Sequence, residues 1–278
     1  MLLDEKLELL KDIIGKKGSA AVAFSGGVDS TFLIRVAKEV LGDKLIAVTA
    51  TSSTYPEREL NEAIKYAKDF GVKHIIISSE ELDIEGFASN PKNRCYYCKK
   101  ELFTKVKEVA LENGVEYVFD GSNLDDNGDY RPGMLAAKEL LVVSPLKEAG
   151  LTKKDIRDLS KEYGLETWNK PAFACLSSRF PYGNKITLPK LKMIDKAEQF
   201  LLDIGIKQVR VRHHGEIARI EVAPEEREKF FNIEFMDKIS SKFKEIGFIY
   251  TTLDIAGYRT GSMNEVLKEE EKIKFKIN

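Results

Sequence analysis

The feature that most constrains the fold is a short apolar run that ends in two glycines and continues into an amphipathic segment. Residues 19–24 read SAAVAF, Gly26 and Gly27 follow, and STFLIRVAKEVLG then carries apolar residues at helical spacing. This order predicts a strand, a tight turn and a helix. A strand that leads directly into a helix is typical of α/β folds, in which a helix carries the chain back to the next parallel strand.

The same alternation continues through the first half of the chain. The other predicted elements are helices at 56–71, at 99–114 and after Pro132, and strands at 44–50, 72–78, 115–121 and, in short form, near 140–146. Strands that alternate with helices of this length indicate an α/β fold with a doubly wound, mostly parallel sheet and helices on both faces. We assign residues 1–168 to this domain.

The pattern changes at residues 169–184, an irregular segment that contains two prolines and that we interpret as an active-site loop and linker. Residues 185–278 are predicted to form a second, smaller α+β domain for substrate binding and oligomerisation. Its predicted elements are a helix at 188–205, a hairpin of strands at 207–215 and 216–223, a helix at 224–247 and a strand at 248–257.

Composition excludes several classes of partner. The 278 residues contain 44 Lys and Arg against 45 Asp and Glu, so the net charge of -1 gives no reason to expect a nucleic-acid or anionic-membrane partner. No apolar run approaches the roughly 20 residues of a membrane span, and the N-terminal segment has the pattern of an amphipathic helix rather than a signal peptide. We therefore expect a cytoplasmic protein, in which three cysteines favour metal binding or catalysis over disulfides.

The glycine turn FSGGVDST has the composition of an anion-binding loop. Glycine lets the backbone approach an anion closely, and the amino end of a helix supplies N–H groups and a favourable dipole. The alternative is that Ser30 only caps the helix. The turn is not a Walker loop, because no lysine follows at the required spacing. The residues that we expect to bind phosphate groups are Ser25, Gly26, Gly27, Asp29, Ser30 and Thr31.

This turn resembles the S-G-G-x-D-S signature of the PP-loop, or N-type ATP pyrophosphatase, superfamily. The resemblance implies cleavage of ATP between the α- and β-phosphates, with the loop holding pyrophosphate while AMP is attached to an acceptor oxygen. Mg²⁺ that bridges the phosphates would neutralise developing charge. Asp29 is the candidate for contact with the metal.

A second polar loop, FDGSNLDDNGDYRPG, follows a predicted strand, where open α/β sheets present their ligands. We choose Asp120 and Arg131 as nucleotide contacts, and Asp125, Asp126 and Asp129 are further candidates for Mg²⁺. A loop rich in Asp, Asn and Gly is equally typical of ordinary turns.

The three cysteines are Cys95 and Cys98, which form a C-x-x-C pair, and the distant Cys175. The pair alone is compatible with a thioredoxin-like redox site, half of a zinc site, two ligands of an iron–sulfur cluster, or unreactive thiols. No histidine lies at zinc-ligand spacing from the cysteines. Cys175 stands in an irregular, hydroxyl-rich segment between Lys170 and Arg179, which suits an exposed site better than a core.

Five segments occur together in the order found in the LarE family of ATP-dependent sulfur transferases: SGGVDST, NPKNRCYYCKKELF, DGSNLDDNGDYRPG, NKPAFACLSSRFPYG and VRVRHHGEIARIEV. The resemblance covers about residues 20–225. It implies adenylation of a carboxylate of pyridinium-3,5-biscarboxylic acid mononucleotide and its conversion to a thiocarboxylate, for the nickel-pincer nucleotide of lactate racemase. It also implies a homo-oligomer.

One branch of that family has only the cysteine that matches Cys175, which gives up its own sulfur. This chain departs from that branch by also carrying Cys95 and Cys98. Three thiolates are the ligand set of a [4Fe-4S] cluster with one open iron, which could receive sulfide or sulfur from a donor. Sacrifice of Cys175, a persulfide on it, and structural thiols remain alternatives.

The run VRVRHHG alternates, so Arg210, Arg212 and His214 are predicted to share one strand face. The two guanidinium groups could bind the phosphate of a mononucleotide. The alternative is a solvated face opposite buried valines. Glu198 and Glu221 could balance these charges or bind metal, and the sequence does not decide between the two.

Three other functions fit part of the pattern. PP-loop enzymes that thiolate tRNA use a similar set of cysteines, but the near-neutral chain lacks an RNA-binding signal. An amidating ligase would not need the cysteines. A metal-binding module would make the glycine turn incidental.

Overall fold

The computed structural model describes residues 1–126, 132–171, 173–259 and 261–267, which form two compact units. The first comprises Met1–Glu80 and Asn93–Phe173, and the second Glu81–Lys92 and Ala174–Leu267. Residues 81–92 therefore pack with the second unit, although they lie in the first half of the chain. The domain boundaries drawn from the sequence stay predictions.

The first unit contains a four-stranded parallel sheet with the strand order β3-β2-β1-β4. Its strands are β1 (Ala20–Ala23), β2 (Leu45–Thr51), β3 (Lys73–Ser78) and β4 (Tyr117–Phe119). Its helices are α1 (Leu3–Gly15), α2 (Val28–Leu41), α3 (Glu57–Asp69), α4 (Arg94–Glu112), α5 (Gly133–Glu139), α6 (Pro145–Glu148) and α7 (Lys153–Glu162). The predicted α/β fold is confirmed, but the strand expected near 140–146 is only one bridge between Val143 and Phe119.

The central strands β1 and β2 are buried on both faces over most of their length. Along β1, Ala20 and Val22 pack into a core with residues of α1, α2, α3 and α7, whereas Ala21 packs on the opposite face against α4. Along β2, Leu45 and Ile46 divide between the faces in the same way. Two-sided burial explains why these strands are continuous apolar runs in the sequence rather than alternating ones.

The second unit contains a mixed sheet with the order β5-β6-β7. Its strands are β5 (Val209–His214), β6 (Ile217–Val222) and β7 (Tyr250–Leu253), and its helices are α8 (Leu188–Asp203) and α9 (Ile233–Ile246). The first two strands form the expected antiparallel hairpin, and β7 pairs with β6 in parallel.

The single helix predicted at 224–247 is wrong. The chain forms a 3-10 helix at Pro224–Phe231 and starts α9 only after Asn232. The backbone of Asn232 is extended, and its side-chain oxygen accepts a hydrogen bond from Phe235 N at 2.8 Å. An N-cap of this kind supplies a helix start in the middle of an apparently continuous pattern.

A buried ion pair fixes the segment that follows Cys175 against α8. Nε and Nη2 of Arg179 donate to the two carboxylate oxygens of Glu198, each at 2.8 Å, and both side chains are fully buried. The backbone N–H of Val211, on β5, donates to the same carboxylate at 2.9 Å. Glu198 therefore joins the segment after Cys175, α8 and β5.

In the part of the chain that the structure describes, no helix has the length and apolar character needed to cross a membrane.

We expect Glu198→Ala to lower the free energy of unfolding by roughly 3–5 kcal/mol at pH 7, because it leaves the Arg179 guanidinium buried without its partner. Burial alone would raise the pKa of Glu198, but the charge of Arg179 holds this pKa below its ordinary value. The contribution should therefore be lost as the pH falls through that lowered pKa. Urea denaturation of the variant and of the exposed control Glu225→Ala at several pH values measures both effects, and equal stability of the two variants would contradict the assignment.

Candidate active site

The glycine turn lies between the end of β1 and the start of α2, and Gly27 is the N-cap of that helix. Gly26 has a φ of 64°, a left-handed conformation that favours glycine. A Cβ at Gly26 would lie 3.2 Å from Ala63 N, so a side chain there would crowd the backbone of α3. The turn thus takes the strand–glycine–helix form that suits an anion.

The hydroxyl groups of the turn differ in their surroundings. Ser25 is exposed, and its hydroxyl lies 3.2 Å from that of the buried Ser30, which donates to Gly27 O at 3.3 Å. The Ser30 hydroxyl therefore braces the turn from within. Thr31 is fully buried, and its hydroxyl has no hydrogen-bond partner among the residues that the structure describes.

Asp29 contacts a lysine that the sequence analysis did not select. Lys153 Nζ donates to Asp29 Oδ2 at 2.5 Å, and Asn123 Nδ2 donates to Asp29 Oδ1 at 3.4 Å. Lys153 is the first residue of α7, and its backbone N–H donates to Asp125 at 2.8 Å. Asp29 and Lys153 thus bring opposite charges to the rim of the loop, where a metal–triphosphate would need both.

The loop after β4 lies beside this turn, since a Cβ at Gly121 would lie 3.2 Å from Ser30 N. The carboxylate of Asp120 accepts hydrogen bonds from the hydroxyls of Ser122 and Ser144, each at 2.7 Å. Asp120 is therefore hydrogen-bonded both to its own loop and to the N-cap residue of α6. Of the other predicted residues here, Arg131 and Asp129 lie outside the described residues.

Two further side chains bind the carbonyl oxygens of the turn. Tyr55, from the loop after β2, donates its hydroxyl to Ser25 O at 2.9 Å. Lys170 Nζ donates to Gly26 O at 3.2 Å and also to the carboxylates of two α3 residues, Glu59 and Glu62. In the sequence, Lys170 is notable only as a neighbour of Cys175.

The C-x-x-C pair lies at the amino end of α4, which starts at Arg94 and thus earlier than the predicted residue 99. Cys95 is exposed, Cys98 is half-exposed, and their spacing of three places them on neighbouring positions of one helix face. Lys100 Nζ contacts the Tyr96 hydroxyl at 3.2 Å. Two accessible thiols on one helical turn suit a metal or cluster with external ligands.

Cys175 lies in the second unit, is exposed as expected, and precedes a 3-10 helix at Leu176–Arg179. Its backbone is held by buried arginines. Nη1 of Arg179 donates to Ala174 O at 2.7 Å and to Cys175 O at 3.1 Å. Nη1 of Arg212 donates to Ser178 O at 2.7 Å. The turn is thus fixed at its backbone, and Cys175 itself is exposed.

The arginine strand is buried, so the alternative of a solvated face is wrong. The exposed fractions are 4% for Arg210 and 8% for Arg212. Arg212 pairs with both carboxylate oxygens of Glu221, at 3.0 and 2.6 Å, which commits much of its guanidinium. Glu198 and Glu221 therefore balance arginine charges.

Arg210 lies with its guanidinium over the Tyr258 ring, at 5.1 Å from the centroid. Burial, together with the positive charges of Arg179 and Arg212, holds the pKa of Arg210 below its ordinary value despite attraction to Glu198. A nearby anion would favour the charged form of such a group.

Among the residues that the structure describes, no three His, Cys, Asp or Glu side chains gather as a metal site would require. The two cysteines of α4 and Cys175 are described in separate units, so the cluster predicted from the resemblance stays a prediction.

Of the missed residues, only Lys153 had a usable signal. The sequence T-K-K-D has the spacing of a capping box, and Thr152 and Asp155 do exchange hydrogen bonds at the start of α7. That signal places Lys153 at the first residue of a helix. Nothing in the sequence near Tyr55 or Lys170 indicates their bonds to the turn.

Comparison with known proteins places this geometry in a family. The NAD synthase family model matches residues 2–108. The pyridinium-3,5-bisthiocarboxylic acid mononucleotide synthase of Lactiplantibacillus plantarum is 38% identical over 255 residues, 91% of this chain and 92% of that protein. An uncharacterized protein of Synechocystis is 43% identical over 266 residues, 96% and 99% of the two chains.

A more distant relative is the argininosuccinate synthase of Natronomonas pharaonis, 29% identical over 160 residues, 54% of this chain and 40% of that protein. The first two matches each cover more than nine-tenths of this chain and of the relative. The chain therefore belongs to the LarE family of ATP-dependent sulfur transferases, within the PP-loop superfamily.

Proposed function

We propose that the chain adenylates a carboxylate of pyridinium-3,5-biscarboxylic acid mononucleotide and converts it to a thiocarboxylate. The name of the Lactiplantibacillus relative supports this substrate. The observation that carries the proposal is the exposed Cys175 on a turn whose carbonyl oxygens accept hydrogen bonds from Arg179 and Arg212. Arg212 lies on β5 together with the buried Arg210, whose pKa is lowered. A sulfur-bearing residue and a phosphate-binding position thus share one unit.

The first step belongs to the glycine turn. The substrate carboxylate attacks the α-phosphorus of ATP, the bond to the bridging oxygen breaks, and pyrophosphate leaves toward Ser25–Thr31. Backbone N–H groups at the amino end of α2 and the ammonium of Lys153 would stabilise its charge. Asp29 offers the carboxylate oxygen that Mg²⁺ would bind, and the metal, when present with ATP, neutralises phosphate charge.

The second step needs a sulfur nucleophile. Sulfur attacks the carbonyl carbon of the acyl adenylate, and AMP leaves with the electrons of the cleaved C–O bond. Thiolate donors suit iron, so Cys95, Cys98 and Cys175 would hold a [4Fe-4S] cluster, whose open iron would supply bound sulfide. In the alternative, Cys175 forms the thioester itself and loses Sγ by elimination, which leaves dehydroalanine.

The two steps should separate by mutation. We expect Asp29→Ala to slow pyrophosphate release by about 100-fold or more, because it removes a group that acts on developing phosphate charge. Cys175→Ala should leave pyrophosphate release intact and abolish thiocarboxylate formation. Release of pyrophosphate and formation of product are measured in parallel, with the exposed Asp158→Ala as control. Unchanged pyrophosphate release in Asp29→Ala, or equal loss of pyrophosphate release and product formation in Cys175→Ala, would contradict this division.

Arg210→Met should raise the KM for the mononucleotide by about 10-fold to 100-fold, because a charge-assisted hydrogen bond to phosphate is lost. The KM for ATP should stay unchanged. Steady-state kinetics with each substrate varied in turn measures the difference. The matched control is Arg259→Met, which removes a guanidinium from an exposed pair with Glu265. An unchanged KM for the mononucleotide would remove Arg210 from the site.

Oxygen-free purification tests the sulfur source. We expect about four irons per chain, loss of iron in Cys95→Ser, and an unchanged protein mass after turnover. Iron analysis and intact-mass spectrometry provide the measurements. An iron-free protein that loses one sulfur atom from Cys175 during turnover would overturn the cluster and establish the sacrificial route.

A further inference from the structure

We propose that Tyr55 and Lys170 are positioning residues, which fix the orientation of two successive peptide groups of the glycine turn. This inference rests on the proposed function of the turn as the pyrophosphate site. Neither residue belongs to the turn itself. They come from the loop after β2 and from the segment that follows α7.

Each residue binds one carbonyl oxygen. The Tyr55 hydroxyl donates to Ser25 O at 2.9 Å, and Lys170 Nζ donates to Gly26 O at 3.2 Å. A peptide group is planar, and in the trans form its C=O and N–H point in opposite directions. The two bonds therefore also set the directions of the Gly26 and Gly27 N–H groups, the donors of the turn.

Such anchoring matters at this position because glycine peptides rotate easily. Gly26 adopts a positive φ and has no side chain that could restrict it. Gly27 is the N-cap of α2, so its N–H has no acceptor within the helix. Without external anchors, both N–H groups would have to be ordered when the anion binds, at a cost in conformational entropy.

The preceding carbonyl is held in the same manner. Thr49 Oγ1 donates its single proton to Phe24 O at 2.7 Å. Its 2.8 Å contact with His74 Nε2 therefore requires the histidine to be the donor. Three successive carbonyls, from Phe24 to Gly26, are thus bound by side chains from outside the turn. This repetition indicates a prepared backbone rather than one fortuitous contact.

Lys170 has no proton left for a phosphate group. An ammonium carries three donors, and those of Lys170 meet three acceptors, namely Gly26 O and the carboxylates of Glu59 and Glu62. Its side chain is only 13% exposed. Lys170 therefore acts on the anion through the backbone that it orients.

Binding of magnesium pyrophosphate to the full chain, measured by calorimetry, tests the proposal. We expect Kd to increase about fivefold in Tyr55→Phe, which loses one hydrogen bond, and about tenfold or more in Lys170→Met, which loses a charged one. Hydrogen–deuterium exchange should accelerate in residues 24–31 and nowhere else. Lys65→Met, on the same helix as Glu59 and Glu62 and in an exposed pair with Glu166, is the control and should match the parent protein.

The other outcomes overturn the proposal in distinguishable ways. Weaker binding with unchanged exchange in the turn would mean that Lys170 contacts phosphate directly. Faster exchange throughout the chain would mean that the residues have a general structural role. Tyr55→Phe keeps the aromatic ring, so weaker binding in this variant is not explained by misfolding. Unchanged binding in both variants would end the inference and leave the proposed function intact. A parent protein that binds neither pyrophosphate nor ATP would end the proposed function.

Discussion

The first unit depends on the position of β1 between two parallel neighbours, β2 and β4. Parallel strands cannot be joined by a tight hairpin, so each connection crosses a face of the sheet and brings a helix with it. The helices bury both faces, and every strand then ends at the same edge. The loops that follow β1, β2 and β4 must meet there, which brings the glycine turn together with Tyr55 and Asp120.

The second unit is organised by buried charge. Arg179 with Glu198 and Arg212 with Glu221 form two-pronged pairs whose geometry offsets much of the cost of removing charge from water. The same guanidinium groups reach the carbonyls of the segment around Cys175. The backbone around Cys175 is thus held by buried guanidinium groups, because apolar side chains could not donate hydrogen bonds to its carbonyl oxygens.

The sequence predicted those features that repeat along the chain or occupy a short motif. Periodicity predicted the strands and most helices, because burial of one face of an element spaces its apolar residues regularly along the sequence. It failed at Asn232, where the apolar spacing continues across a helix start. It could not decide whether Arg210 and Arg212 are buried, because alternation separates two strand faces but does not report the burial of either. Contacts such as Lys170 with Gly26 join residues 144 positions apart and leave no local signal.

The surroundings of Lys170 have a further chemical consequence. An acyl adenylate reacts readily with amines, and a neutral lysine beside a nucleotide loop would be at risk of acylation. Burial would lower the pKa of Lys170, but Glu59 and Glu62 together raise it above its ordinary value. The amine therefore stays protonated at neutral pH and has no lone pair to offer. Glu59 and Glu62 thus prevent the Lys170 amine from competing with sulfur as the nucleophile.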